Sequence, residues 1–169
     1  MPNEMPAADA RFVVQMHDAS HLHYDFRLQV GDVMVSWAIP KGPSMNPAEK
    51  RLAMMTEDHP LDYAGFEGVI PEGSYGAGTV MVWDTGTWEP EGSKPGRQQL
   101  DEGELKFKLY GSKLRGSFAL VRTRFGSKKD GRSWLLIKHR DGDADPAFKI
   151  GSLAWSVLSR RTMREIAEG

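Results

Sequence analysis

The chain has 169 residues, 40% of them hydrophobic and 27% charged, with 22 Lys and Arg against 23 Asp and Glu and a formal net charge of −1. This composition suits one globular domain and argues against a disordered chain. The absence of Cys excludes disulfides, thiolate nucleophiles and thiolate-held zinc or iron–sulfur sites, so any metal must rest on His and carboxylate.

Residues 1–10 read as a flexible tail without the layout of a signal peptide, and no apolar run approaches the roughly 18 residues a bilayer span needs. A cytoplasmic protein is expected, with no membrane partner. Period-two alternation then begins. Phe12, Val14 and Met16 alternate against Val13, Gln15 and His17, and Tyr24, Phe26, Leu28 and Val30 against His23, Asp25, Arg27 and Gln29. Gly31-Asp32 reads as a hairpin turn into a strand at Val33 to Ile39. Asn46 to Arg51 reads as one short helical turn capped by Ser44 or Asn46. Further strands are expected at Leu52 to Asp58, Gly78 to Asp84, Leu105 to Tyr110, Gly116 to Arg124 and Ser133 to His139, with a hairpin turn over Asp84 to Thr87. Asp141 to Asp145 reads as a linker, and Ser159 to Ala167 as a short helix.

About eight short strands, 18 Gly and 10 Pro predict a mainly β fold, a closed or nearly closed β-barrel with short helices. The body spans 11–140, and 141–169 form a linker and C-terminal helical appendage. Phe107, Phe118 and Trp134 follow strand periodicity and belong to the core.

The neutral total hides an asymmetry. Leu52 to Ser93 carries eight acids and no Lys or Arg, and Lys94 to Arg140 is net +9. A basic half of that size suits a polyanionic partner, although basic strands also expose Lys and Arg simply to solvent.

Three of the five His lie in His17-Asp-Ala-Ser-His-Leu-His-Tyr-Asp-Phe-Arg-Leu28. On a strand, alternate side chains share a face, so His23, Asp25 and Arg27 point away from the core. A turn over residues 18–22 would bring His17 to them. Two imidazoles and a carboxylate with open positions form a catalytic metal arrangement suited to Mn²⁺, Fe²⁺ or Zn²⁺, and the adjacent cation suits phosphate chemistry. Arg51, Glu57 and His59 share one parity on the next polar strand. Arg51 and His59 would supply charge and a proton donor for an anionic substrate, with Glu57 orienting one of them. Tyr63 and Lys41 are weaker candidates. Gly65 to Gly78 lacks Gly-Lys-Ser/Thr and Rossmann spacing, so it reads as a structural turn and not as a nucleotide cradle. Gly-x-Ser-x-Gly and His-Glu-x-x-His are both absent.

These residues, together with Ser36-Trp-Ala-Ile-Pro-Lys-Gly-Pro43, Glu57-Asp-His-Pro-Leu-Asp-Tyr63, Phe66-Glu-Gly-Val-Ile-Pro-Glu-Gly73 and Trp134-Leu-Leu-Ile-Lys-His139, resemble the 3'-phosphoesterase domain of bacterial and archaeal DNA ligase D proteins over roughly Arg11 to Arg140. The resemblance implies an Mn²⁺-dependent phosphoesterase, with Co²⁺ or Zn²⁺ as other divalent ions. Such an enzyme removes a 3'-ribonucleoside and then the 3'-phosphate from DNA primer-template or duplex ends, leaving a 3'-OH for sealing in end joining. It further implies His17, His23 and Asp25 as metal ligands, and Arg27, Arg51 and His59 as phosphate-holding catalytic groups with Glu57 and Tyr63 beside them. DNA ligase and polymerase modules and Ku are the implied partners of a monomeric, nucleoid-associated domain. The alternative is a non-catalytic nucleic-acid or protein docking module in which the basic segment, including Lys128, Lys129 and Arg132, is the working surface.

Overall fold

A computed structural model describes residues 10–74, 76–123 and 131–169. Residues 1–9 of the expected N-terminal tail, Arg124 at the end of an expected strand, Lys128 and Lys129 lie outside the described residues, whereas Ala10 packs against the core and accepts the Trp88 amide.

Among the described residues nine strands run in order: β1 Arg11–Asp18, β2 Leu22–Val30, β3 Val33–Ile39, β4 Arg51–Pro60, β5 Gly68–Ile70, β6 Gly78–Pro90, β7 Glu104–Gly111, β8 Arg115–Arg122 and β9 Ser133–Lys138. The sheet order is β1-β2-β3-β4-β9-β8-β7-β6-β5, and β1 also pairs with β6. Eight strands therefore close a barrel in which all pairings are antiparallel, and β5 hangs on the outside of β6. Closure leaves no long exposed edge in the ring.

Alternation explains the interior. Phe12, Val14, Tyr24, Phe26, Leu28, Trp37, Trp83, Phe107, Phe118 and Trp134 are all buried within one cluster. Phe26 centres an aromatic chain, with ring centroids 6.4 Å from Phe12, 6.1 Å from Trp37 and 6.1 Å from Phe107. The Gly31-Asp32 turn forms as expected. Gly31 has φ 65° and Asp32 is not in the positive-φ region, the pattern of a II′ hairpin.

Two local expectations are corrected. Asp84 to Thr87 continues as strand, because the Asp84 carboxylate accepts the backbone amides of Ser112, Lys113 and Leu114 from the β7–β8 turn instead of bending its own chain. A Cβ at Gly86 would collide with the Tyr110 carbonyl, so the glycine serves strand approach and not a turn. Asn46 to Arg51 is a turn without helix: Asn46 accepts the Ala48 amide through Oδ1, and Arg51 already opens β4. The short helix α1, Gly96–Glu102, was not signalled by apolar periodicity.

Residues 141–169 pack on the barrel. Val157 donates its amide to the Val82 carbonyl, and Ile166, in helix α2 (Met163–Glu168), is 2% exposed within the main core. Lys113 Nζ bonds the carbonyls of Leu153 and Trp155 between the rings of Trp83 and Trp155. Burial pushes this ammonium down to about 8 despite the charge of Asp84. A second cluster of Val13, Met34, Ala64 and Val82 lies outside the barrel wall, covered by Leu61 and Val157. Among the described residues, no helix is long and apolar enough to cross a membrane.

Candidate metal and phosphate site

The β1–β2 hairpin sets His17 opposite His23, Gln15 opposite Asp25 and Val13 opposite Arg27. Directly opposed residues of antiparallel strands share a face, so Gln15, His17, His23, Asp25 and Arg27 form one polar patch on the barrel's outer surface. His17 Nδ1 lies 3.5 Å and His23 Nε2 3.2 Å from Asp25 Oδ2. One donor atom from each of the three falls within 4.8 Å of the others.

Backbone carbonyls orient both imidazoles. His23 Nδ1 is 3.0 Å from the His21 carbonyl, and His17 Nε2 is 3.3 Å from the Ala77 carbonyl. Those carbonyls only accept, so with an ion bound each would take the ring proton and leave the nitrogen beside Asp25 free to ligate, whereas without an ion the same nitrogens, His17 Nδ1 and His23 Nε2, donate to the carboxylate. Burial alone would raise the Asp25 carboxyl, but hydrogen bonds from His17 and His23 and the Arg27 charge outweigh it and hold the group well below the usual carboxylate range. The hydrogen bond to Asp25 is the largest influence on His23 and raises its pKa. This donor set fits a divalent transition ion: two neutral imidazoles, one ionised carboxylate and open positions on the pocket side.

Arg27 is 3% exposed and fully oriented. Its Nε donates to Gln15 Oε1 at 2.7 Å, its Nη1 donates to Ser36 Oγ at 2.8 Å, and its Nη2 lies 3.6 Å from Asp25 Oδ2. Gln15 is itself held, its Nε2 donating to the carbonyls of Tyr63 and Phe66 at the 3-10 turn Leu61–Gly65. The guanidinium carbon stands 5.1 Å over the Tyr63 ring. His59 Nδ1 is 3.0 Å from both Arg27 Nη1 and the Glu57 carbonyl. Burial and then the Arg27 charge push the His59 pKa down. Arg27 only donates and the Glu57 carbonyl only accepts, so a neutral His59 satisfies one of them at Nδ1: accepting from Arg27 leaves its proton on Nε2, and donating to Glu57 leaves a lone pair there. These groups enclose a pocket of about 380 Å³, which Ala38, Thr56, Ile70 and Gly76 also line.

The structure thus brings together His17, His23, Asp25, Arg27, His59 and Tyr63, but not Arg51, Glu57 or Lys41. The reason is a β-bulge. Across β3 and β4, Ser36 opposes Thr56 and Met34 opposes His59, so three residues of β4 advance while two of β3 do. The extra residue ends the parity that Arg51 and His59 were expected to share. His59 therefore joins Thr56 on the pocket face, whereas Arg51 shares the inward side of β4 with the buried Ala53 and pairs with Glu49 at 3.1 Å. Glu57 is exposed within the bulge and meets His59 through its backbone. Sequence reasoning missed Gln15 and Ser36. Both lie on the polar parity of recognised strands, and that was the available signal. Nothing local could have pointed to Ala77, whose carbonyl orients His17 from the Gly-rich stretch expected to be only a turn.

A family profile described as the DNA ligase D 3'-phosphoesterase domain matches residues 15–122 of this chain. The chain is 51% identical over 156 residues to a multifunctional non-homologous end joining protein LigD of Pseudomonas aeruginosa, covering 90% of this chain and 18% of that protein. It is 42% identical over 152 residues to a multifunctional non-homologous end joining DNA repair protein LigD of Mycobacterium tuberculosis, covering 90% of this chain and 19% of that one. It therefore spans about a fifth of the length of these relatives.

Proposed function

The chain belongs to the DNA ligase D 3'-phosphoesterase domain family, and from that premise we propose that it is a divalent-metal-dependent phosphoesterase acting on 3' ends of nucleic acid. Its reactions are removal of a 3'-terminal ribonucleoside by phosphodiester cleavage and hydrolysis of a 3'-phosphate, together leaving a 3'-OH for ligation in end joining. The observation that carries this reading is the convergence of His17, His23 and Asp25 beside a pre-aimed Arg27 and the ring of His59.

His17, His23 and Asp25 would hold Mn²⁺, with Co²⁺ or Zn²⁺ as substitutes; a bound divalent ion supplies charge neutralisation at phosphate oxygens and acidification of water. The chain's own groups divide the remaining tasks. Arg27 presents a buried guanidinium to the phosphate without further ordering, since Gln15 and Ser36 already fix it. Water adds to phosphorus, the P–O bond to the leaving group breaks, and the leaving oxygen takes a proton. His59 Nε2–H is the group we assign to that oxygen or to a neighbouring phosphate oxygen. Tyr63 holds His59 and Arg27 in place, its ring centroid 5.2 Å from that of His59. Arg51 acts on phosphate only if β4 rearranges, so its implied role is the weakest part of the proposal. Ku and the ligase and polymerase modules are the proposed partners, reached through a longer parent protein or by association.

The deciding experiment uses a duplex with a recessed 3'-ribonucleotide and another with a 3'-phosphate, each with and without Mn²⁺. A 3'-OH product that depends on metal is expected. Absence of product at saturating metal would sink the reading.

A further inference from the structure

The scissile group sits at a strand's 3' end, so the rest of that strand must leave the pocket along the protein surface, and the exits differ in charge and polarity. On one side stand the end of β4, the 3-10 turn and the β5–β6 loop, with exposed Glu57, Asp58, Asp62 and Glu72. A polyanion is repelled there. On the other side the outer faces of β3, β4 and β9 follow in register. Asp25 opposes Ala38, Ala38 opposes Met54 and Met54 opposes Ser133. One row over, Leu52 opposes Leu135, which opposes Val121. Leu52 is 46% exposed, Met54, Leu135 and Val121 are half-buried, and none of them belongs to either core cluster. Exposed Arg132, whose carbonyl accepts the Met55 amide, borders this strip near the pocket, and exposed Lys50 borders its far end beyond Leu52.

Resting on the phosphoesterase reading, we propose that the strand bearing the reacting 3' end leaves the pocket over Ala38 and Met54 and lies across the outer face of β4 and β9. Its sugars and bases cover Leu52 and Leu135, and its phosphates pass Lys50 and Arg132. The occupant follows from charge. The strip adjoins the pocket and its pre-aimed Arg27, its outer face carries no acid on β4 before Glu57 or on β9, Arg132 and Lys50 flank it, Glu104 meets it only at its far edge opposite Val121, and the opposite exit is acidic. The reach also fits: three strand spacings from β2 to β9 amount to about 14 Å, or roughly four steps of a B-form strand.

The test uses two surface pairs, Leu52→Glu with Leu135→Glu and Lys50→Glu with Arg132→Glu, the second pair guarding against a folding defect in the first. Each is assayed in Mn²⁺ on a 3'-phosphorylated oligonucleotide of about a dozen residues and on a 3'-phosphorylated dinucleotide. Binding of the same oligonucleotide, fluorescently labelled, is read by anisotropy in EDTA. Both variants should raise KM and Kd for the oligonucleotide by about tenfold or more, leave the dinucleotide unchanged, and, for the Lys50/Arg132 pair, flatten the salt dependence by about one to two charges. Unchanged oligonucleotide binding in folded variants overturns the path and leaves the strip to a neighbouring protein module, and so does equal loss on both substrates. If wild type hydrolyses neither substrate, the phosphoesterase reading fails, while the anisotropy arm still decides the path.

Discussion

His23 Nε2 lies 3.2 Å from Oδ2 of Asp25, two residues further along the same strand, while the other nitrogen of its ring is held by the His21 carbonyl. Strand geometry puts the two side chains on one face, and the backbone bond decides which nitrogen is presented. The pair is therefore ordered before any ion arrives. His23→Ala or Asp25→Ala should weaken Mn²⁺ binding by more than about 100-fold and abolish hydrolysis of both substrate types. Calorimetric titration of the ion beside the activity assay checks this; a variant that binds the ion normally yet is inactive would remove these residues from the ligand set.

Arg27 should behave differently. Its bonds to Gln15 and Ser36 aim the guanidinium, and a longer ion pair of 3.6 Å to Asp25 stands beside them. Arg27→Gln should lower turnover by about 10²- to 10³-fold while metal binding stays within a few-fold of wild type. Gln15→Leu should give a smaller loss by the same route, because it frees Arg27 and also the carbonyls of Tyr63 and Phe66. Wild-type turnover in Arg27→Gln would refute its role at phosphate.

Asp141 offers a pH test remote from the site. Lys138 is 2% exposed, and its ammonium donates to the carbonyls of Ser117 and His139 and, at 2.6 Å, to Asp141 Oδ1. Burial works against the Asp141 carboxylate, but the bonds from Lys138, Ser117 and Asp143 win and lower its pKa to about 2. A depressed acid stabilises the fold above its unfolded value of 3.8 and loses that contribution as pH falls through about 2. Chemical denaturation should therefore show a decline between pH 4 and 2 that is shallower in Asp141→Asn, the depressed Asp25 supplying part of what remains, and at pH 7 Asp141→Asn should cost about 1–3 kcal/mol because it leaves a buried ammonium without its counter-ion.

The C-terminal segment should prove integral to the barrel. Ile166 is buried in the main core, and α2 is set by a capping box between Thr162 and Glu165. Ile166→Ala should cost about 2–5 kcal/mol and lower Tm by roughly 5–15 °C. A melting temperature unchanged by this substitution would show that the appendage is dispensable.

Alternation in the sequence was enough to assign β1, β2, β3 and β7 to β9, to separate Tyr24, Phe26 and Leu28 from His23, Asp25 and Arg27, and to bring His17 to them through a hairpin. Those features depend on neighbours a few residues apart, where period two and turn chemistry dominate. The tertiary structure alone decided the rest. The bulge between Thr56 and His59 depends on how β4 registers against β3, so parity counted along β4 placed Arg51 with His59 when the fold separates them. The carbonyl of Ala77, 60 residues from His17, and the amide of Gln15 bridging Arg27 to the 3-10 turn arise from barrel closure. The sequence by itself determined which side chains could bind metal and phosphate. Strand register, a property of pairs of strands, decided which of them meet.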